Sequence, residues 1–268
     1  MRLCTLLDGG RRRAGLVDGD RVTPLDASGP MEILLGAQAA PSGDPLPLDP
    51  GRLGEPLRPG KLIGIGLNYR DHAAETGAEV PTEPLLFAKL ASAVAPPSGP
   101  VVVPAYTEEL DYEGELAVVI GRAARDVPEG RALEHVFGYA VMNDVSARDR
   151  QRTEPQWVRA KGGDTFAPWG PWITTADEVP DPQALGVRTW VSGELMQDGT
   201  TADMVFGVAE LVAYCSRQFT LDPGDVITTG TPAGVGVART PKRFLRPGDV
   251  VRIEVERLGS IEHPVVAP

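Results

Sequence analysis

Cysteine and histidine are scarce in this chain: two Cys (Cys4 and Cys215) and three His in 268 residues. That supply builds neither a disulfide framework nor a CxxC zinc site. Basic charge is also in deficit. Lys plus Arg number 26 against 37 Asp plus Glu, a net charge of −11. No basic patch dominates such a field, which argues against nucleic acid and anionic membrane surfaces as partners. No apolar run approaches the roughly 20 residues of a membrane span. A short apolar start is followed at once by Asp8 and then Arg11-Arg12-Arg13, which is not the layout of a secretory signal. The expectation is a cytoplasmic protein with reduced thiols, Cys215 being buried.

Glycine and proline are plentiful, 31 and 26 residues. Together they are nearly double the average usage of roughly 12%, so many turns join short strands. Residues 1–40 read as a small β-rich unit, with strands at 3–7, 14–17 and 22–25 separated by Gly9-Gly10 and Asp18-Gly19. Half of residues 41–60 are Pro or Gly, a connector that marks a boundary. The chain thus divides into an N-terminal unit over 1–60 and a main domain over 61–268. The latter opens on a glycine-broken strand at 61–67. Its Gly64-Ile65-Gly66 lacks the third glycine and following helix of a dinucleotide site. Further strands are expected near 85–88, 101–103, 110–120, 137–145, 172–175, 187–191, 226–229 and 250–255. One amphipathic helix is expected over 208–218, from Val208, Leu211, Val212 and Cys215 at i, i+3, i+4 and i+7. The class is α+β, mainly β. Leu221-Asp222-Pro223-Gly224-Asp225-Val226 recurs as Leu245-Arg246-Pro247-Gly248-Asp249-Val250, two Pro-Gly turns expected to feed one sheet system.

Chemistry concentrates in a few stretches. In Asp111-Tyr112-Glu113-Gly114-Glu115-Leu116, strand periodicity places Asp111, Glu113 and Glu115 on one face. Same-face neighbours lie about 7 Å apart, so two long carboxylates can converge on one cation. The competing reading is a solvated edge strand. Against it, the stretch runs into Val118-Val119-Ile120, and carboxylates entering a buried sheet are costly unless paired. Asp144 ends another apolar strand and is a candidate third ligand, or the N-cap of a helix over 147–151. Three hard oxygen ligands favour Mg²⁺ or Mn²⁺ over zinc. His72 and Glu75 are i, i+3 neighbours on one helical turn, a spacing that lets a carboxylate orient a base, or simply an incidental surface pair. His135 and His263 have no such neighbour. Lys161 opens a loop dense in Gly, Pro and Trp, and residues 228–236 form a hydroxyl- and glycine-rich loop able to offer N–H groups to an anion.

Taken in order, Gly66-Leu67-Asn68-Tyr69, His72, Asp111 to Leu116, Asn143 to Asp149, Lys161 with Asp164-Thr165-Phe166, Gly193-Glu194 with Gln197, and Thr229 to Gly236 resemble the fumarylacetoacetate hydrolase family. The resemblance covers residues 61–266. It implies a mixed β-sheet roll with a small N-terminal β-rich domain, a homodimer and a divalent metal. It also implies that Glu113, Glu115 and Asp144 bind that metal. His72 and Glu75 become the water-activating pair on a mobile lid, and Lys161 the lysine beside the metal. Arg148, Gln151 and Thr231 become the groups that hold a 2-oxo or diketo acid. Gly163, where many members carry an aromatic, and Ser192, where Asn is common, are departures expected to widen or retune the pocket. The implied activity is hydrolysis of a C–C bond in an acylpyruvate-like 2,4-diketo acid. A decarboxylase, a hydratase or isomerase, and a non-catalytic family member are the alternatives.

Overall fold

The computed structural model describes all 268 residues. Strand outweighs helix, 38% to 21%, as the turn-rich composition requires. The fully buried strand Gly114–Ile120 lies near the middle of the large sheet. It pairs antiparallel with Val136–Asn143 on one side and with Val226–Thr228 on the other. Val226–Thr228 then pairs in parallel with Leu62–Gly66, so the sheet is mixed. The edge strand Leu85–Lys89 follows. A second sheet runs Glu194–Thr200, Gly186–Val191, Val250–Val255, Gly259–Val266 and Val101–Val102, and packs against the middle of the first. Between them lies a continuous apolar core that includes Leu116, Val118, Tyr139, Trp169, Val187 and Ile253. Each such side chain, once buried, contributes about 1.5–3 kcal/mol.

The helix Val208–Gln218 buries Val208, Leu211, Val212 and Cys215, the stripe its spacing predicts. Burial pushes the Cys4 and Cys215 thiols up to about 12, which leaves both inert at neutral pH.

Strand Arg2–Asp8 pairs with Ala167–Thr175, so the N-terminal strands continue the large sheet. The connector contributes strand Leu53–Gly54 to the same ladder. Two expectations need correction. First, the two Pro-Gly turns feed different sheets: Gly224 precedes Val226–Thr228 of the large sheet, and Gly248 precedes Val250–Val255 of the second. In both turns the Asp carboxylate accepts the N–H three residues back, Asp225 from Asp222 at 2.7 Å and Asp249 from Arg246 at 2.8 Å. The repeat is therefore one turn-closing device used twice. Finally, the strand expected over 110–120 is broken. Leu110–Asp111 pairs with Ser146–Ala147 in a separate ribbon, and the ladder resumes only at Gly114.

Candidate active site

The strand break builds the site. Leaving the ladder exposes consecutive backbone N–H groups, and a buried N–H needs a partner. Side-chain oxygens supply all three. Asp111 Oδ1 accepts from Tyr112 N at 2.9 Å, Asn143 Oδ1 from Glu113 N at 3.0 Å, and Gln197 Oε1 from Gly114 N at 3.0 Å. Asp144 N donates to Glu113 O at 2.9 Å. Gly114 is obligatory here, because a Cβ would sit 2.3 Å from Thr189 Oγ1.

Glu113, Glu115 and Asp144 each present an oxygen within 4.8 Å of the others, and all three are buried. Cations face them. Lys161 Nζ donates to Glu113 Oε2 at 2.6 Å and to Asp144 Oδ2 at 2.8 Å. Lys89 Nζ donates to Asp144 Oδ1 and to Lys161 O, both at 2.5 Å. Arg148 Nη2 lies 2.7 Å from Glu113 Oε1 but off the N–H direction, an ion pair without a linear hydrogen bond. Glu115 receives the Thr228 hydroxyl and the Gly230 N–H, the latter at 2.8 Å.

These surroundings split the two glutamates. Burial opposes the charge on both. For Glu113 the attraction of Arg148 and Lys161 overrides it and holds the carboxyl below its usual range. For Glu115 burial is reinforced by Asp144 and Glu113, which raise its pKa well above the carboxylate norm. Burial lowers the pKa of Lys89 despite the pull of Asp144, whereas Lys161, faced by Asp144 and Glu113, ends above the lysine norm. A buried carboxylate that is crowded by two others and has no direct cationic partner calls for a proton or a cation. Three oxygen ligands suit a hard divalent ion, so the residues fit such a group.

A cavity of about 320 Å³ opens beside the cluster, lined among others by Glu113, Glu115, Arg148, Gln151, Lys161, Thr231 and His72. The helix Arg70–Thr76 carries His72, whose Nδ1 lies 2.7 Å from Glu75 Oε1. Glu75 Oε2 accepts from Gly234 N at 2.8 Å, and Asp71 Oδ2 from Ala233 N at 3.1 Å. The helix expected to act as a lid is thus docked on the glycine-rich loop. Gln151 Oε1 accepts from Arg148 Nη1 at 2.9 Å. The Thr231 hydroxyl donates to Gly114 O at 2.9 Å and accepts from Gln197 Nε2 at 2.7 Å.

All nine site residues expected from sequence therefore line or adjoin one cavity, while Asp111 does not join the carboxylate cluster. It turns away to accept from Arg148 Nε at 2.8 Å and from Gly236 N and Val237 N. Asp144 caps no helix, since Arg148–Thr153 has no side-chain cap. Gly163 and Ser192 do not line the cavity. A Cβ at Gly163 would meet Tyr106 Oη at 2.7 Å, and Ser192 sits at the turn before Gly193, bonded to Asp249. Trp157, which does line the cavity and packs at a tilt against Phe87 with ring centroids 5.6 Å apart, escaped the sequence reading, as did Lys89. The available signal for Lys89 was a lysine set directly after the apolar Leu85-Leu86-Phe87-Ala88.

The chain is 49% identical to a mitochondrial oxaloacetate tautomerase of Xenopus laevis over 210 residues, 78% of this chain and 66% of that protein. Its fold matches a fumarylacetoacetate hydrolase of Exiguobacterium antarcticum with a TM-score of 0.92 and 37% identity, all of both chains being covered. A 2-hydroxyhepta-2,4-diene-1,7-dioate isomerase of Mycobacterium marinum matches with a TM-score of 0.83 and 36% identity, covering 100% of this chain and 98% of that one. Residues 1–56 match an N-terminal family described as Rv2993c-like. Residues 61–266 match the family described as fumarylacetoacetate (FAA) hydrolase C-terminal, and the chain belongs to the fumarylacetoacetate hydrolase family.

Proposed function

We propose that the protein hydrolyses a C–C bond of acylpyruvate-like 2,4-diketo acids with the help of Mg²⁺ or Mn²⁺. The observation that supports this reading is that His72, bonded to Glu75, lines the same cavity as Glu113 and Glu115, two of the three clustered carboxylates. Glu113, Glu115 and Asp144 would hold the ion, which would supply Lewis-acid stabilisation of the negative charge that develops at the 2-oxo group. Arg148, Gln151 and Thr231 bind and orient the 2-oxo carboxylate. Glu75 fixes His72 with its Nδ1 proton directed at the carboxylate, which leaves Nε2 as the base. His72 takes a proton from water as the oxygen adds to the C4 carbonyl. The C3–C4 bond then breaks, its electron pair passing toward the 2-oxo group. A proton returned to C3 completes pyruvate beside the released acid. Lys161 keeps positive charge next to the developing oxyanion.

A second reading, enol–keto tautomerisation or isomerisation of a 2-oxo dicarboxylate, is favoured by the names of the Xenopus and Mycobacterium proteins. It needs the same proton shuttle at His72 and no attacking water. Arg152 at the cavity lining would suit the distal carboxylate. By family resemblance the working unit is a homodimer, which sedimentation would test. A product assay separates the readings. Acetylpyruvate and fumarylpyruvate with Mg²⁺ should give pyruvate plus a free acid. Enol-oxaloacetate converted to the keto form, with both diketo acids left intact, would replace hydrolysis by tautomerisation. Carbon dioxide from oxaloacetate as the fastest reaction would make it a decarboxylase.

A further inference from the structure

Behind the carboxylate cluster lies a polar chain that the chemistry above does not use. His263 is fully buried on strand Gly259–Val266 of the second sheet, where it pairs in register with Val251. Its Nε2 lies 2.9 Å from Asn143 Nδ2. The same Asn143 side chain turns its Oδ1 to the Glu113 N–H at 3.0 Å. That N–H belongs to the strand break, so no ladder partner is available to it. An amide has one donor side and one acceptor side, and the two contacts fix its orientation. Asn143 Nδ2 donates to the ring, Nε2 accepts, and the ring proton sits on Nδ1. This proton faces the Pro97 backbone without reaching hydrogen-bond geometry. Burial holds the ring neutral, its pKa pushed down to about 4, which matches a nitrogen that must accept.

We infer that His263 is a positioning residue: through Asn143 it locks the Glu113 backbone at the strand break, and so sets the aim of the carboxylates that receive the cation. Without the ring acceptor, the Asn143 amide is free to flip. A flipped amide would set Nδ2 against the Glu113 N–H, donor against donor, and the break would lose its partner. Partners of this kind, one shell behind the ligands, typically change metal affinity by about 10–100-fold when removed.

The inference rests on the carboxylates being a cation site, and its test separates the two claims. The comparison is His263→Gln with His263→Asn. Glutamine can place an acceptor oxygen near the Nε2 position, whereas asparagine is too short to reach Asn143. Two quantities are read: Mn²⁺ affinity by electron paramagnetic resonance titration, and hydrogen exchange of the Glu113 amide in metal-free protein by NMR. His263→Asn should weaken Mn²⁺ binding by about 10-fold or more and speed Glu113 exchange, and His263→Gln should restore both. Combining Asn143→Ala with His263→Asn should cost no more than Asn143→Ala alone, because both act through one bond. Wild-type affinity and exchange in His263→Asn would overturn the inference, as would equal loss in the two His263 variants or additive loss in the double variant. If His263→Asn does not fold, Asn143→Ala combined with His263→Gln takes its place, and a further loss beyond Asn143→Ala overturns the inference. Failure of the wild-type protein to bind Mn²⁺ would count against the cation site, while the exchange measurement still decides the role of His263.

Discussion

Glu113 and Glu115, which line the cavity, and the adjoining Asp144 form one wall, projecting from two central strands and their immediate ends and held by backbone N–H groups, two lysines and a guanidinium. On the other wall, His72 and Glu75 ride on a seven-residue helix tied to the 233–234 loop by two carboxylate–N–H contacts. The first wall is part of the core, and its charges are structural as well as functional. The second is an attachment. Damage to the lysine-bonded carboxylates of the first wall should therefore reach binding and folding together, while damage to the helix should reach turnover and leave the rest intact.

The largest effect is expected at Asp144, which accepts from both Lys89 and Lys161. Asp144→Ala should abolish cation binding and activity. It should also destabilise the metal-free fold by about 3–5 kcal/mol, because two buried ammonium groups lose their shared partner. Glu115→Gln sharpens the point. Glu115 has no lysine or arginine bonded to it, only a hydroxyl and an N–H. Cation binding should be lost there too, yet the metal-free melting temperature should stay at or above wild type. Equal destabilisation in the two variants would show that the lysine contacts carry no folding energy.

His72→Ala comes next. Turnover should fall by about 10²–10⁴, the usual worth of a positioned base, with Mn²⁺ and oxalate affinity unchanged. Unchanged turnover would point to decarboxylation, where no water need be activated. Asp71→Ala loosens the helix and leaves the base in place. It removes the docking hydrogen bond from the Ala233 N–H, worth about 0.5–1.5 kcal/mol, so amide exchange over residues 70–76 should quicken while kcat drops by less than about 10-fold. A loss as large as that of His72→Ala would mean that docking, not the base, limits the reaction.

The smallest effect belongs to a carboxylate that touches neither wall directly. Burial raises the Asp249 carboxyl, but Arg243, the Arg246 N–H and Ser192 bring it below its usual range overall. A depressed folded-state pKa contributes stability above the unfolded value of about 3.9 that is lost as pH falls through the folded one. Asp249→Asn should therefore lower stability modestly at neutral pH and flatten the acid limb of a melting-temperature profile, with cation affinity untouched. An unchanged acid limb would contradict this.

Much of the carboxylate wall was legible in the sequence because strand alternation and the end of an apolar strand are local signals. Period two puts Glu113 and Glu115 on one face, and Asn143-Asp144 closes the buried strand Val136–Asn143. What the alternation could not show is the break at Tyr112–Glu113. The break depends on oxygens from residues 30 and 83 positions away, Asn143 and Gln197. Asp111, which the alternation sets on the same face, turns away for the same reason, since its partner Arg148 lies 37 residues on. Lys89 and His263 stayed hidden because a buried polar group takes its meaning from a neighbour brought in by the sheets. The two Pro-Gly turns were readable as turns, but the sheet each one feeds is a property of the whole topology.

The most direct test of the account is a calorimetric titration of Mn²⁺ into chelator-treated protein, with and without oxalate, a planar chelator that resembles a 2-oxo acid. One ion should bind per chain, more tightly when oxalate is present, and both signals should be lost in Glu115→Gln. No saturable Mn²⁺ binding by folded wild-type protein, or binding of the same strength in Glu115→Gln, would contradict it.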